Sequence, residues 1–312
     1  MGFLEIEKVS KYFPGSNGKG ALCVFKDVHF HIEKGEFVTM VGHSGCGKTT
    51  LLNIIAGFET ANEGGIVLDG KEITDPGLDR MVVFQNFALM PWMTVRDNIR
   101  IAVRAAYPQW DRRRVDKYVQ QYINMVGLAG SEDKKPAALS GGMRQRVGLA
   151  RAFAVQPKVL LLDEPFAQID ALTRGVIQEE LIRMWMATKN TVFMVTHDVD
   201  EAILLSDKIA LMSDGPEARL AEMVEIGMAR PRSRETLIEN PDFTRIRKHV
   251  LNFLIERSRR VQTETQISSA LSPVKSQFSS TEVPSCIRIH KKTLTGGNSN
   301  GSSKYDYPGG SH

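Results

Sequence analysis

The stretch that decides the fold is Gly42-His43-Ser44-Gly45-Cys46-Gly47-Lys48-Thr49, which matches the pattern G-x-x-x-x-G-K-[ST] at every fixed position. It follows an apolar run over residues 36–41 and precedes a helix that we predict from Lys48 to Ala56, ended by Gly57. The glycines let successive backbone N–H groups turn inward around phosphate oxygens, and the helix N-terminus adds positive potential. The pattern therefore predicts a loop that binds the phosphates of a nucleotide.

Two side chains of this loop add chemistry to the backbone. Lys48 is predicted to reach the β- and γ-phosphates, and the Thr49 hydroxyl is predicted to reach Mg²⁺. Cys46 occupies a variable position, and we interpret it as a small loop residue rather than a reactive thiol. The residues expected to bind the nucleotide in this region are Gly42, His43, Ser44, Gly45, Cys46, Gly47, Lys48, Thr49 and Thr50.

Composition is that of an ordinary globular protein. Of the 312 residues, 42% are hydrophobic and 24% are charged, which excludes a wholly disordered chain and a collagen-like fibre. The net charge of +4 is too small to indicate nucleic acid as a partner. Three cysteines cannot form a disulfide framework and favour a reducing compartment. Because no apolar run is long enough to span a bilayer and no secretory signal is evident, attachment to a membrane would need another subunit.

Apolar runs alternate with helical patterns along the first 256 residues, which predicts an α/β core. The continuous apolar runs at residues 159–162 and 191–195 are typical of strands buried on both faces of a parallel sheet. Helices are predicted over residues 95–126 and 174–187, the second as a crossover between those strands. Further strands are predicted over residues 4–9, Ala21–Ile32, 66–68 and 81–84.

Composition changes near the C-terminus. Residues 258–312 are rich in serine and glycine and show no helical or strand period. Such a segment cannot bury enough apolar surface to offset the entropy of ordering it. We predict a disordered tail over residues 258–312, with a partner-binding or regulatory tail as the alternative.

An acidic pair, Asp163 and Glu164, ends the strand predicted at residues 159–162. The carboxyl end of a central strand is where ligands gather in an open α/β sheet. Asp163 is suited to hold Mg²⁺, directly or through water, and Glu164 is suited to orient and deprotonate an attacking water. The alternative is that the two charges only begin a solvated loop.

A second motif, Leu139-Ser140-Gly141-Gly142-Met143, precedes a helical run over residues 144–152. Ser140 is a natural N-cap, and the glycines leave the backbone open to a phosphate. One nucleotide can use this anion site and the phosphate loop together only if two chains face each other. An ordinary capped helix fits this motif alone, but it does not explain its place before the strand at residues 159–162. With both motifs, the sequence resembles the nucleotide-binding subunit of ATP-binding-cassette (ABC) transporters over about residues 3–255.

The resemblance implies an α/β fold: a P-loop NTPase core with a parallel sheet, an antiparallel β subdomain and an inserted helical subdomain. It implies an ABC ATPase domain over residues 3–230, with the helical subdomain at about residues 90–145. A C-terminal helical extension over residues 231–257 follows, and then the tail. The activity implied is hydrolysis of ATP, with Mg²⁺ as cofactor.

The resemblance assigns roles to residues that no local pattern singles out. Gln85 matches the family's glutamine loop, which touches Mg²⁺ and couples to the permease. His197 matches the family's switch histidine, which contacts the γ-phosphate. The expected catalytic residues are therefore Gln85, Glu164 and His197. Phe13 matches the aromatic residue that stacks on adenine, with Tyr12 as a close alternative, and either ring could instead serve packing.

The resemblance also implies a face shared between two chains. Ser140, Gly141 and Gly142 are implied to contact the ATP that is bound to the opposite chain. Asp170 matches the aspartate of a loop that crosses the dimer interface. Gln168 departs from the family pattern because it is bulkier and more polar than the usual residue, which leaves open how the two sites communicate.

The partners implied are a polytopic membrane permease and a second ABC ATPase subunit, in a homodimer or a heterodimer. Residues 87–92 match a groove that accepts a short cytoplasmic helix of the permease, although these residues could also be core. A periplasmic or lipid-anchored substrate-binding protein acts indirectly. The implied location is peripheral, on the cytoplasmic face of the plasma (inner) membrane.

The stretch from Thr196 to Asp207 looks like the nitrate/nitrite importer group, which includes bicarbonate and cyanate importers. Segments at residues 214–216, 230–234 and 241–243 agree, and sulfonate and taurine importers are close relatives. We favour nitrate or nitrite as the cargo. A soluble non-transport ABC ATPase is the alternative class, although it would carry tandem cassettes or a long coiled-coil insertion. A P-loop kinase or GTPase would lack the Leu139–Met143 motif.

Overall fold

The computed structural model describes residues 2–15 and 20–271, with side chains described as far as Glu256. The strands are β1 (Leu4–Pro14), β2 (Ala21–Ile32), β3 (Phe37–Val41), β4 (Glu63–Leu68), β5 (Lys71–Glu72), β6 (Arg80–Val83), β7 (Val159–Asp163), β8 (Thr191–Thr196), β9 (Lys208–Met212) and β10 (Leu220–Glu225). The helices are α1 (Lys48–Ala56), α2 (Val95–Ala106), α3 (Arg112–Met125), α4 (Gly141–Ala154), α5 (Ala171–Thr188), α6 (Val199–Leu205), α7 (Arg234–Ile238) and α8 (Pro241–Leu271).

The central feature is a six-stranded sheet in the order β10-β9-β3-β8-β7-β6. Strands β6, β7, β8, β3 and β9 pair in parallel, and only β10 pairs antiparallel, with β9. The carboxyl ends of parallel strands meet at one edge of a sheet. The loops after β3, β7 and β8, which carry the predicted site residues, therefore share that edge.

Both faces of this sheet are buried. In β3, Val38 and Met40 belong to a core on one face, which includes α1, while Phe37 and Val41 belong to the core on the opposite face. Burial of a large aliphatic or aromatic side chain contributes about 1.5–3 kcal/mol. Two cores of this kind explain why β3, β7 and β8 are continuous apolar runs, as the sequence predicts.

A second, antiparallel sheet has the order β2-β1-β4-β5. Its inner face, with Leu4, Ile6 and Phe25, packs into the same core as α1. The sheet thus lies beside the phosphate loop, and this arrangement agrees with the antiparallel subdomain that the family resemblance implies.

The helical stretch predicted over residues 95–126 is two helices, and this corrects the single prediction. Helix α2 ends at Ala106, before Pro108, and α3 begins after Asp111. The Asp111 carboxylate accepts a hydrogen bond from the Arg114 backbone N–H at 2.7 Å and so caps α3. A proline disfavours helical backbone in the residue before it, which explains the break.

The C-terminal extension consists of α7 and α8. Helix α8 continues to Leu271, beyond residue 258, where the tail is predicted to begin. Residues 258–271 contain no glycine or proline that would stop a helix. The remainder of the predicted tail, residues 272–312, lies outside the described residues. The chain divides into two compact units, Met1–Thr265 and Gln266–His312, and every interaction given below lies within the first unit.

None of the described helices is a candidate for a membrane-spanning segment. Within residues 2–15 and 20–271, no helix combines the length and the hydropathy that crossing a bilayer requires.

Candidate functional site

The phosphate loop connects β3 to α1, and its backbone demands glycine. Gly47 caps α1 with a left-handed φ of 96°. A Cβ at this position would lie 2.7 Å from side-chain atoms of Val24 and Phe25, so both conformation and space exclude larger residues. The loop therefore presents the N-terminus of α1 toward the carboxyl edge of the sheet, where an anion would meet its N–H groups.

Lys48 is buried, and its ammonium is held by its own loop. The Nζ donates hydrogen bonds to the carbonyl oxygens of Gly42 at 2.7 Å and His43 at 2.8 Å. A third, longer contact runs from Nζ to Cys46 Sγ at 3.9 Å. Sulfur is a weak acceptor, so a phosphate oxygen could replace it as the partner of the third N–H. The His43 ring in turn forms a 2.9 Å hydrogen bond with the Leu254 carbonyl of α8.

Cys46 lies inside the loop with only 1% of its surface exposed. Burial raises the pKa of its thiol above the ordinary value. Because the thiolate is the reactive form of cysteine, this environment favours an inert side chain. The sequence interpretation of Cys46 as a small loop residue agrees with this environment.

The predicted magnesium ligands Thr49 and Asp163 lie together. The Thr49 hydroxyl donates a 2.9 Å hydrogen bond to Asp163 Oδ1. Burial raises the pKa of the Asp163 carboxyl, and the hydrogen bond from Thr49 opposes that rise. Mg²⁺ binds through oxygen atoms and takes one or two protein ligands besides phosphates and water. A hydroxyl beside a single carboxylate therefore fits this metal.

Glu164 and His197 face each other across the ends of β7 and β8. His197 Nδ1 lies 3.3 Å from Glu164 Oε2. Glu164 has a left-handed φ of 43°, uncommon for a residue with a side chain, and its N–H donates to the Val195 carbonyl at 3.0 Å. Strained backbone of this kind concentrates at functional sites. The carboxylate of this strained residue faces His197.

One cavity unites the phosphate loop and Glu164. Its volume is about 230 Å³, and its lining residues are Val24, Ser44, Gly45, Gly47, Lys48, Thr49, Thr50 and Glu164. A larger cavity, of about 870 Å³, lies over the antiparallel sheet and is lined by charges of both signs. The smaller one is the better candidate, because it contains the α1 N-terminus and the phosphate-binding lysine. Val24 is the one lining residue that the sequence motifs do not indicate.

Some predicted site residues lie outside this cavity lining, among them Gln85 and the two aromatic candidates for adenine stacking. Gln85 is exposed after β6. Phe13 is 37% exposed, with the Lys11 ammonium 5.0 Å from its ring centroid. The Tyr12 hydroxyl faces Glu63 at 3.4 Å. The structure therefore brings Gln85 and the two aromatic candidates into no shared site with Lys48.

The second motif forms the start of α4, as predicted. Ser140 caps this helix, and its hydroxyl oxygen accepts a hydrogen bond from the Met143 N–H at 3.2 Å. A Cβ on Gly142 would lie 2.4 Å from the Thr173 side chain, so the glycine permits close packing of α4 on α5. Asp170 caps α5 by accepting from the Thr173 N–H at 2.9 Å. None of these residues lines the cavity at the phosphate loop.

Comparison with known proteins identifies the family. The ABC transporter family profile matches residues 25–167. The nitrate import ATP-binding protein NrtD of Synechococcus elongatus is 46% identical over 256 residues, which cover 82% of this chain and 93% of the relative. The chain belongs to the ABC transporter ATP-binding family. The bicarbonate transport ATP-binding protein CmpD of Synechocystis sp. is also 46% identical, over 82% of this ABC protein and 90% of its own length.

A solved structure supports both the fold and the activity. The ATP-binding cassette MJ0796, in a dimeric post-hydrolysis state bound to ADP and Pi, matches with a TM-score of 0.64 and 29% identity. The match covers 72% of this ABC protein and all of the cassette. The predicted fold class and the resemblance to ABC transporter subunits are thereby confirmed, and the protein is an ATPase of this family.

Proposed function

We propose that this ABC ATPase powers the uptake of nitrate or nitrite through a separate membrane permease. The observation that supports nitrate or nitrite as the cargo is the 46% identity to a nitrate import ATP-binding protein over nearly the whole of that relative. An equally similar bicarbonate transport protein makes bicarbonate the second candidate. An ATPase subunit does not contact the cargo, so its own side chains cannot distinguish the two ions.

We propose that two chains enclose each ATP. Lys48, Thr49 and Glu164 share one side of the site, whereas the N-terminus of α4 lies outside the cavity that they line. Ser140 is exposed there and its hydroxyl oxygen is occupied by a capping bond, so its O–H proton can be donated outward. A second copy, or a similar chain, would supply Ser140, Gly141 and Gly142 to the γ-phosphate. The dimeric MJ0796 structure supports this arrangement.

Within each site, the proposed chemical step is attack of water on the γ-phosphorus, which breaks its bond to the β–γ bridging oxygen and releases ADP and phosphate. Glu164 accepts the proton of that water. His197 lies 3.3 Å from the Glu164 carboxylate and would contact the γ-phosphate beside it. Lys48 and the N-terminus of α1 stabilise the charge on the phosphates. Thr49 and Asp163 would hold Mg²⁺, with Gln85 joining only after a change in its loop; the bound ion would neutralise phosphate charge.

The proposed permease contact is the loop after β6, at residues 87–92. Trp92 is 66% exposed and Met90 is 36% exposed, so this loop offers apolar surface to a partner helix. Arg151 of α4 donates to the carbonyl oxygens of Ala88 at 2.8 Å and Phe87 at 3.3 Å. Movement of this loop would therefore displace α4 through the bonds from Arg151. The opposite end of α4 carries the second motif. We place the protein peripherally at the cytoplasmic face of the inner membrane, with a substrate-binding protein acting indirectly and no role for nucleic acid.

The test is ATP turnover by the complex of this chain, its permease and its substrate-binding protein, reconstituted in liposomes. Nitrate, nitrite, bicarbonate and taurine are compared, and a complex that contains Glu164→Gln serves as the inactive control. We expect nitrate or nitrite to stimulate turnover. Stimulation by bicarbonate or taurine alone would overturn the proposed cargo, and failure of the chain to co-purify with any polytopic subunit would favour a soluble ABC ATPase.

A further inference from the structure

A buried carboxylate lies directly behind the His197 loop. Glu201, on α6, is only 4% exposed. Its Oε2 accepts a 2.6 Å hydrogen bond from the hydroxyl of Thr196, and that hydroxyl oxygen accepts the Asp198 N–H at 3.1 Å. The two residues that flank His197 are therefore tied to one carboxylate.

The donors around Glu201 form one connected arrangement. The Arg234 guanidinium can only donate, and it donates to Gln178 Oε1 at 2.8 Å. The Gln178 amide nitrogen must then face Glu201 Oε1, to which it donates at 2.8 Å. The Thr196 hydroxyl accepts from the Asp198 N–H and donates its proton to Glu201 Oε2. When Glu201 is ionised, both of its oxygens act as acceptors.

Helix α6, which carries Glu201, is held by arginines of the segment at residues 230–234. Arg232 is 5% exposed and donates to the carbonyl oxygens of Ile203 at 2.9 Å and Ser206 at 2.5 Å. Arg230 donates to the Leu205 carbonyl at 2.6 Å. These carbonyls belong to the last turn of α6, which has no partners for them within the helix. The helix therefore cannot rotate or slide without breaking buried charge-assisted bonds.

We propose that Glu201 is a positioning residue for His197: by fixing Thr196 and Asp198, it holds the imidazole at its 3.3 Å separation from Glu164. This inference rests on the proposed role of His197 at the γ-phosphate. A buried carboxylate is costly, and an apolar side chain of similar volume is often at least as stabilising. The need for two directed acceptor oxygens explains why a carboxylate occupies this position.

The experiment measures ATP turnover by the full-length chain against ATP concentration. Glu201→Gln keeps the size of the side chain but replaces one acceptor oxygen by a donor. We expect kcat to fall about tenfold or more, as misplacement of a reacting group does, while the KM for ATP changes less than about twofold. Asp200→Asn is the matched control: it makes the same change one residue away, where the carboxylate is exposed and contacts Arg247 at 2.5 Å. It should leave kcat and KM unchanged.

A double-mutant cycle with His197→Ala separates positioning from general stabilisation. If Glu201 acts through His197, Glu201→Gln should cause no further loss of kcat in the His197→Ala background. An equal fold-loss in both backgrounds, or unchanged kcat in the single variant, would overturn the inference while leaving the proposed site intact. Wild-type turnover of His197→Ala itself would overturn both.

A second variant serves if Glu201→Gln does not fold. Thr196→Val removes the hydroxyl that links Glu201 to Asp198 and nearly preserves the shape of the side chain. It should reproduce the loss of kcat at constant KM, again only when His197 is present. Unchanged kcat in Thr196→Val would overturn the inference.

Discussion

Thr49 Oγ1 donates a hydrogen bond to Asp163 Oδ1 at 2.9 Å, although 114 positions separate the two residues in the sequence. The bond joins the first turn of α1 to the carboxyl end of β7. The strand order β3-β8-β7 makes the contact possible, because it brings the loops after β3 and β7 to one edge of the sheet. Two oxygen atoms suited to Mg²⁺ are thereby held as neighbours by the fold.

Lys48→Ala should remove most nucleotide affinity and reduce hydrolysis at least about 100-fold, because no other side chain of the loop supplies an ammonium to the phosphates. Binding of a fluorescent ATP analogue and release of phosphate measure the two effects. Lys71→Ala, at an exposed lysine of β5, is the control and should behave as wild type. Wild-type turnover by Lys48→Ala would contradict the assignment of the phosphate loop.

Glu164→Gln should bind MgATP but hydrolyse it about 10²–10⁴-fold more slowly, since an amide cannot accept a proton from water. Lys48, Thr49 and Asp163 are unchanged, so the closed dimer should accumulate. Size-exclusion chromatography with light scattering, with and without MgATP, detects it. Addition of Ser140→Arg should abolish the dimer, because a bulky cation replaces the exposed cap of α4.

Two results would contradict the Glu164 prediction in different ways. Hydrolysis by Glu164→Gln at the wild-type rate would remove Glu164 from the role of base. An inactive variant that never dimerises, even with its permease present, would argue against enclosure of ATP between two chains.

Glu201 should make the free energy of unfolding depend on pH. Burial is the main cause that raises the pKa of its carboxyl to about 7, against hydrogen bonds from Thr196 and Gln178. The nearby charges act in opposite directions: Asp198 raises this pKa and Arg174 lowers it. Because the folded pKa lies above the unfolded value, the folded chain binds more protons between these values. The stability from protonated Glu201 is therefore complete below the unfolded pKa and is lost as pH rises through about 7, by up to about 3 kcal/mol.

Urea unfolding at pH 5 and at pH 8 measures this effect. The midpoint should fall more for wild type than for Glu201→Gln, whose amide does not titrate in this range. Equal falls in the two proteins would show that Glu201 does not contribute to the pH dependence.

Removal of residues 272–312 should leave ATP turnover unchanged and the Tm within about 2 °C, since that segment is rich in serine and glycine. Removal of residues 252–312 also deletes Phe253 and Leu254, which pack on the core, and should lower the Tm by about 5 °C or more. Thermal unfolding of the two truncated chains compares them. A large loss of Tm on removal of residues 272–312 alone would show that this segment contributes to the folded core.

Helix α1 could be predicted to the residue because its signals are local. The loop motif places its start, and Gly57, with φ 78°, ends it by donating its N–H to carbonyls of the last turn. The break at Pro108 and the cap at Asp111 are also local signals, but apolar periodicity alone overlooks them. The serine content of residues 258–312 as a whole conceals the continuation of α8 past residue 258, because the stretch up to Leu271 contains no helix breakers.

The candidate site likewise has residues that short motifs predict and contacts that no short motif predicts. Short motifs single out Lys48, Asp163 and Glu164, and the parallel strands bring the loops that carry them to a common edge. The Gln178–Glu201 and Gln178–Arg234 bonds span 23 and 56 positions and depend on how α5, α6 and α7 pack, which no short pattern encodes. The arginines at residues 230–234 were visible in the sequence only as a family likeness, without a role.

The arginines that hold α6 are synthesised after it, so during translation α6 exists before the groups that fix its last turn. A ribosome that adds about 5–20 residues per second reaches Arg234 about 2–7 s after Glu201. During those seconds the growing chain has its phosphate loop, but α6 lacks the guanidinium groups that hold its last carbonyls and Gln178. A polypeptide released near residue 229 would stay in that state, so we expect unfinished chains to be poor ATPases and to spare the cell futile consumption of ATP.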